Sequence, residues 1–123
     1  MKHLSRAEEQ VMEIIWKYET VFMKDILANC PLPKPATTTI STVLKRMQNK
    51  GFVAYNVFGN SRQYYALVKK DDYFTKRVNK MVKDFFDNSA LQFASFFTTA
   101  SNLSANELED LKKIIELEIK RKK

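Results

Sequence analysis

A chain of 123 residues with 45% hydrophobic and 28% charged residues can bury one core, and it is too short for two large domains. Its 2 glycines and 3 prolines are too few for a many-stranded sandwich or barrel and exclude a glycine-rich phosphate loop. A formal net charge of +7 and a pI near 9.5 point toward nucleic acid or another acidic surface as a partner.

Ser5 and Glu8 stand at the spacing of a capping box, in which hydroxyl and carboxylate satisfy the free amides of a helix start. Ala7, Val11, Ile14, Ile15 and Tyr18 then repeat at helical spacing and predict a buried stripe with Trp16 on its flank. After Thr20 and Val21, a short second helix is expected from about Phe22 to Cys30, burying Ile26 and Leu27. Pro31, Pro33 and Pro35 forbid helix and hold an extended connection. A third helix spans about Thr37 to Lys50, with Ile40, Val43, Leu44 and Met47 as its core stripe and Gly51 as its stop. Phe52 to Tyr55 and Gln63 to Val68 are rich in β-branched and aromatic residues around a Gly59-Asn60 turn, and they read as a hairpin. Tyr64 and Tyr65, adjacent on a strand, must face opposite sides, one of them the core.

From Asp71 the helical period returns in Phe74, Val78, Met81, Val82, Phe85 and Phe86, through about Asn88. Ser89 opens a short apolar segment with Leu91, Phe93, Phe96 and Phe97. Ser104 and Glu107 form a second capping box, and Leu108, Leu111, Ile114 and Ile115 line a last helix. The basic tail Lys120 to Lys123 reads as frayed and solvated. The expected fold class is mostly α with a small β-hairpin wing: a winged helix-turn-helix over residues 1–70 and a C-terminal helical dimerisation module over 71–123. Six of the nine phenylalanines lie in that second part, more than its few helices can bury within one chain. An identical chain is the expected cover, so a homodimer is assigned to Phe74, Val78, Met81, Phe85, Phe86, Phe93, Phe96, Phe97, Leu108, Leu111 and Ile115.

The positive charge is concentrated upstream of these helices. No acidic residue lies between Asp25 and Asp71, a window holding Lys34, Lys45, Arg46, Lys50, Arg62, Lys69 and Lys70. Residues 1–70 carry 11 basic and 5 acidic residues, whereas residues 71–123 carry 10 and 9. At 100° per residue, the side of the third helix opposite its core stripe is centred on Thr38, Thr42, Lys45 and Asn49, flanked by Thr39, Ser41 and Arg46. That face has no acid and no large apolar residue, and its hydroxyl, amide and ammonium groups suit the base edges of a major groove. Arg62 opens the second hairpin strand beside Asn60 and Ser61, where a wing tip grips phosphate.

Other chemistries find little support. Cys30 and His3, each single in the chain, provide neither a disulfide nor a zinc ligand set, and Cys30 reads as a small buried apolar residue. No paired-carboxylate or nucleophile motif stands out, so no enzyme and no cofactor is expected. The longest uncharged run, 88–106, is interrupted by Gln92, Ser95, Thr98 and Thr99, and the Met1 end lacks a signal-peptide core. The expected location is the cytoplasm, without membrane insertion.

The segments AEEQVMEIIW, TTTISTVLKRMQNKGFV, RQYYALV and LSANELEDLKKII, in this order and spacing, resemble the BlaI/MecI family of penicillinase repressors over nearly the whole chain. The resemblance implies a homodimer that binds a palindromic operator through two winged domains and represses transcription. The family's base-facing residues fall on Thr38, Ser41, Thr42 and Lys45, with Thr39 and Arg46 at the edge of that face toward phosphate. In members that answer to β-lactams, a membrane sensor-protease cuts the dimer module, typically at an Asn-Phe bond. Here the comparable segment, Leu91 to Thr98, contains Phe96-Phe97 and no Asn-Phe, which counts against that partner. The copper-responsive branch of the wider group carries paired cysteines near the C-terminus, and this chain has none after Cys30. Two other readings remain: a winged-helix module that binds protein, and a nonspecific architectural DNA binder.

Overall fold

The first helix is launched by the capping box. In the computed structural model, which describes residues 3–123, α1 spans Arg6–Tyr18. The Ser5 hydroxyl accepts from the Glu8 amide at 3.2 Å, and Glu8 Oε1 accepts from the Ser5 amide at 2.7 Å. The buried side of α1 carries Glu8, Val11, Met12 and Ile15, with Leu4 just ahead of it. This corrects the expected stripe, because Ala7 and Tyr18 are exposed and Ile14 is only half-buried. Glu8 sits within the stripe, so a reading that follows apolar residues alone is turned off the true face.

Thr20–Phe22 forms a short strand, β1, that takes Phe22 from the second helix, expected to start at about that residue. α2 covers Met23–Asn29, with Asp25 Oδ2 accepting from the Phe22 amide at 2.9 Å, and it buries Ile26. Cys30 at its end is half-buried rather than enclosed. After the proline segment, α3 runs Thr37–Asn49 and buries Ile40, Val43, Leu44 and Met47. Gly51 follows the Lys50 cap at φ 82°, a left-handed conformation that side-chain-bearing residues adopt only with strain, and Phe52 N–H then donates to the Met47 carbonyl.

β2 (Val53–Phe58) and β3 (Ser61–Ala66) form the hairpin, with Gly59 at φ 59° in its two-residue turn. β1 joins the other edge of β3, giving an antiparallel sheet of order β1-β3-β2. In this register Val21 lies opposite Tyr64, and Tyr64 opposite Tyr55. Tyr64 is the tyrosine of the adjacent pair that turns to the core, and Tyr65 on the other face is half-buried.

α4 spans Lys70–Phe85, and the chain divides into compact units at Lys76/Arg77. The first turn of α4 belongs to the first unit. Tyr73 is 1% exposed, and its hydroxyl accepts from the Leu4 amide at 3.4 Å and donates to Glu9 Oε2 at 3.1 Å. Phe52, Trp16 and Phe74 surround its ring, and Trp16 Nε1 donates to the Val68 carbonyl at 2.9 Å. The core of this unit thus joins α1, α2, α3, the sheet and the start of α4.

In the second unit, Asp87 and Asn88 take φ of 53° and 56° after α4. Ser89 caps α5 (Ala90–Ala100), and the box of Ser104 with Glu107 caps α6 (Ala105–Lys122). The basic tail is helical through Lys122, contrary to the frayed end expected, and Arg121 is bound to Glu118 on the preceding turn. Phe86 packs on Phe93 and Phe96 at ring separations of 5.5 and 5.4 Å. No described residue from Arg77 onward is buried.

The polar centre of the first unit is Glu8. Its carboxylate, 1% exposed, also receives Lys50 Nζ at 2.7 Å, and Lys50 donates onward to the His3 carbonyl at 3.0 Å. Burial opposes ionisation of Glu8, but Lys50 and the Ser5 amide and hydroxyl outweigh it and hold the carboxyl below its ordinary value of 4.5. The unfolded chain therefore binds this proton more readily, so the contribution to stability is full above pH 4.5 and is lost as pH falls through the lower folded value. Glu8→Ala should destabilise the protein by about 3 kcal/mol at neutral pH, and the isosteric Glu8→Gln by about 1 kcal/mol. In urea titrations, the gap between wild type and Glu8→Gln should close below pH 4.5. A gap independent of pH would show that ionised Glu8 does not stabilise the fold.

Candidate nucleic-acid interface

The sequence of α3 sorts its residues onto two faces, and the structure keeps that sorting. Ile40, Val43, Leu44 and Met47 are buried, while Thr38, Thr39, Ser41, Thr42, Lys45 and Arg46 are exposed. The helix begins at Ala36 with no side-chain cap and no acidic residue in its first turn, so no carboxylate offsets the positive end of the helix dipole. The Thr42 hydroxyl donates to the Thr38 carbonyl at 3.0 Å. Its one proton is thereby occupied, and Thr42 offers a methyl group and oxygen lone pairs to whatever lies against this face.

Two cations of the acid-free window are tied up elsewhere. Lys50 is paired with Glu8, and Lys70 with Glu13 at 3.1 Å. Among the described residues Lys45, Arg46 and Arg62 form no ion pair. Of the window's cations left without an ion pair, Lys45 and Arg46 lie on α3 and Arg62 on the wing, while Lys34 and Lys69 lie in the connecting segments.

At the wing, the Arg62 guanidinium lies 4.3 Å above the centre of the Tyr55 ring. Tyr64, and after it Tyr55, favour the charged form of Arg62 and shift its pKa upward, and a guanidinium is in any case a permanent cation. Between α2, α3 and the hairpin runs a groove of about 720 Å³ whose polar lining includes Lys24, Ser41, Asn60, Ser61 and Arg62. The groove brings Ser41 of the expected base-reading set together with Arg62 of the expected phosphate set. Thr38, Thr39, Thr42, Lys45 and Arg46 lie on the exposed side of α3 but do not line it. Lys24 is the addition that sequence reasoning missed. It lies one residue ahead of Asp25, where the acid-free window begins, and only the approach of α2 to the wing gives it a role.

The residues assigned to dimerisation divide three ways. Val78, Met81, Phe85, Phe96, Phe97, Leu108 and Ile115 are exposed, Phe85 by 80%. Phe86, Phe93 and Leu111 are half-buried, the first two within the phenylalanine cluster of the second unit. Phe74 lies in the first unit, packed on Trp16 and Tyr73. Leu91, Ile114 and Leu117 add exposed apolar surface beyond the expected set. No helix among the described residues is long and apolar enough to cross a membrane.

Comparison with known proteins agrees with this architecture. The family model described as penicillinase repressor matches residues 4–117. The chain is 32% identical over 117 residues to the methicillin resistance regulatory protein MecI of Staphylococcus aureus strain N315, covering 91% of this chain and 92% of that one. It is 31% identical to the MecI of Mammaliicoccus sciuri with the same coverage. It is 27% identical to the penicillinase repressor of Bacillus licheniformis over 98% of this chain and 94% of the relative. With a capped winged-helix unit, an exposed acid-free face on α3 and a family match over nearly its whole length, the chain belongs to the penicillinase repressor family, a family of transcriptional repressors rather than enzymes.

Proposed function

We propose that the protein is a homodimeric, sequence-specific repressor that binds a palindromic DNA operator through its two winged units, in the cytoplasm. The observation that carries this reading is the exposed, acid-free face of α3 standing beside a wing with an unpaired arginine. Thr38, Ser41, Thr42 and Lys45 read base edges. Lys45 donates to guanine acceptors, and Thr42, with its proton occupied, meets a thymine methyl or an exocyclic amine. Thr39, Arg46 and Arg62 hold phosphate and set register without reading sequence.

In this reading the first unit, through Lys76, binds DNA and the second, from Arg77, dimerises, a boundary six residues later than the one expected after residue 70. The second unit has no buried residue of its own and exposes Phe85, Leu91, Phe96, Ile114, Ile115 and Leu117, an apolar surface suited to a second copy. Phe74 is left out of that contact, since its ring is engaged with Trp16 and Tyr73. The relatives' names place them in methicillin and penicillinase control, and a β-lactam resistance setting is the corresponding proposal for this chain. A membrane sensor-protease does not form part of it: the Leu91 to Thr98 segment lies inside α5 and holds no Asn-Phe bond.

Three measurements test the reading, using a palindromic duplex recovered by selection from random-sequence DNA and a scrambled version of it. Thr42→Ala should weaken the selected duplex by about 1 to 3 kcal/mol and leave the scrambled one unchanged. Its melting temperature should hold, because alanine favours helix at least as well as threonine. Equal loss on both duplexes would show that this face does not read bases. Arg46→Ala should weaken both and reduce the slope of log affinity against log salt by about one unit; loss confined to the selected duplex would reassign Arg46 to base reading. A nonspecific architectural binder would show no preference between the duplexes even as wild type. Phe85→Asp combined with Ile115→Asp should turn the dimer into a folded monomer in light scattering and weaken operator binding, since the two half-sites are then bound independently. A wild-type monomer at micromolar concentration would remove the dimer.

A further inference from the structure

We propose that Tyr55 is a positioning residue for DNA binding, its ring holding the Arg62 guanidinium at the α2–α3–wing groove so that the cation meets the phosphate backbone already oriented. The inference rests on the DNA-binding reading above. The β2–β3 register puts Tyr55 opposite Tyr64 and Val57 opposite Arg62, so Tyr55, Tyr64 and Arg62 project from one face of the hairpin. Tyr64 is buried, and its ring packs on that of Tyr55 at 5.5 Å, which fixes the shelf on which Arg62 rests. Arg62 itself is exposed, lies 4.3 Å from the Tyr55 ring centre and forms no ion pair among the described residues.

The geometry leaves Arg62 available. A guanidinium resting on a ring uses its planar face, and its N–H donors lie along the edge, where they reach other acceptors. A free arginine surrenders rotamer freedom when it meets a phosphate, and one already held loses less. The direction in which it is held matters equally. Lys24, Ser41, Asn60 and Ser61 line the same groove, so a phosphodiester chain passing α3 there meets two cations and several hydroxyl and amide donors. Tyr55 and Arg62 are seven positions apart, and only strand pairing brings them together.

The test uses full-length Tyr55→Phe, Tyr55→Leu, Arg62→Ala and the Tyr55→Leu/Arg62→Ala double variant. Each is titrated against the selected and scrambled duplexes over a salt series, with thermal melting alongside. Arg62→Ala should weaken both duplexes and lower the salt slope by about one unit. Tyr55→Leu should weaken both roughly 2- to 5-fold, the span of an exposed cation–π contact, and Tyr55→Phe should bind as wild type. The double variant should bind as Arg62→Ala alone. A Tyr55→Leu loss that persists undiminished without Arg62, or a Tyr55→Phe loss as large as that of Tyr55→Leu, would overturn the proposal. So would Arg62→Ala binding that matches a wild type still bound to DNA. A second measurement needs neither DNA nor a stable Leu variant: in the free wild-type protein the Arg62 δ-protons should be shifted upfield in NMR by the Tyr55 ring current. Ordinary shifts would overturn the proposal. Absence of any salt-sensitive DNA binding by wild type would overturn the DNA reading and this proposal with it, whatever the ring current shows.

Discussion

The buried Glu8 carboxylate is the constraint around which the winged unit is organised. One oxygen accepts from the Ser5 amide and from Lys50, so a single charge caps α1 and grips the residue that closes α3. A carboxylate removed from water is tolerated only where charge and hydrogen bonds replace its hydration. Here they come from Ser5, on the same turn, and from Lys50, 42 residues along the chain from Glu8. The result sets the end of α3 relative to the start of α1, and with it the angle at which the face carrying Thr38, Thr42 and Lys45 is presented. Lys50 is thereby withdrawn from the pool of cations that meets a ligand. Basic composition and the charge left without an ion pair are different quantities in this protein.

The two units solve the burial problem differently. The first encloses its own core, with Met12, Ile15, Ile26, Leu44, Met47, Phe52 and Tyr73 nearly inaccessible. The second gathers Phe86, Phe93 and Phe96 but buries none of its described residues, leaving Phe85, Leu91 and Leu117 largely in water. Three helices of 16, 11 and 18 residues, the first shared with the winged unit, contain too little chain to surround that many large side chains. An exposed apolar surface of this extent suits a second copy of the chain in the proposed function. A palindromic operator read by a dimer supplies the matching symmetry in the proposed function.

On the recognition side, charge and hydrogen-bonding capacity are distributed with little redundancy. Thr42 gives its proton to the Thr38 carbonyl, which removes one donor from the exposed face and leaves a methyl group and lone pairs. Arg62 is held by aromatic rings rather than by a carboxylate, so its full charge is retained. A carboxylate in the place of Tyr55 would orient the guanidinium equally well but would cancel the field that a phosphate feels. Orientation without neutralisation is what an aromatic shelf provides and an ion pair does not.

Local signals in the chain determined a good deal. The capping boxes at Ser5 and Ser104, the core stripe of α3, the left-handed stop at Gly51 and the Gly59-Asn60 turn depend on neighbours within a few residues, and each appears where the sequence places it. The exposed face of α3 follows by the same logic, since fixing one side of a helix fixes the other. Tertiary structure decided what depends on residues far apart. β1 is too short to be recognised alone and exists as a strand because β3 offers an unpaired edge. The stripe of α1 turned toward Glu8 because Lys50 makes a buried carboxylate acceptable there, a fact no periodicity of apolar residues contains. Phe74 lies within a run that reads as one amphipathic helix, yet Trp16 and Tyr73 claim it for the first unit. Lys24 acquired a place beside Arg62 only when α2 met the wing. In each case the deciding term is the pairing or desolvation of a group by a partner distant in sequence, and its energy is defined only once the chain has folded.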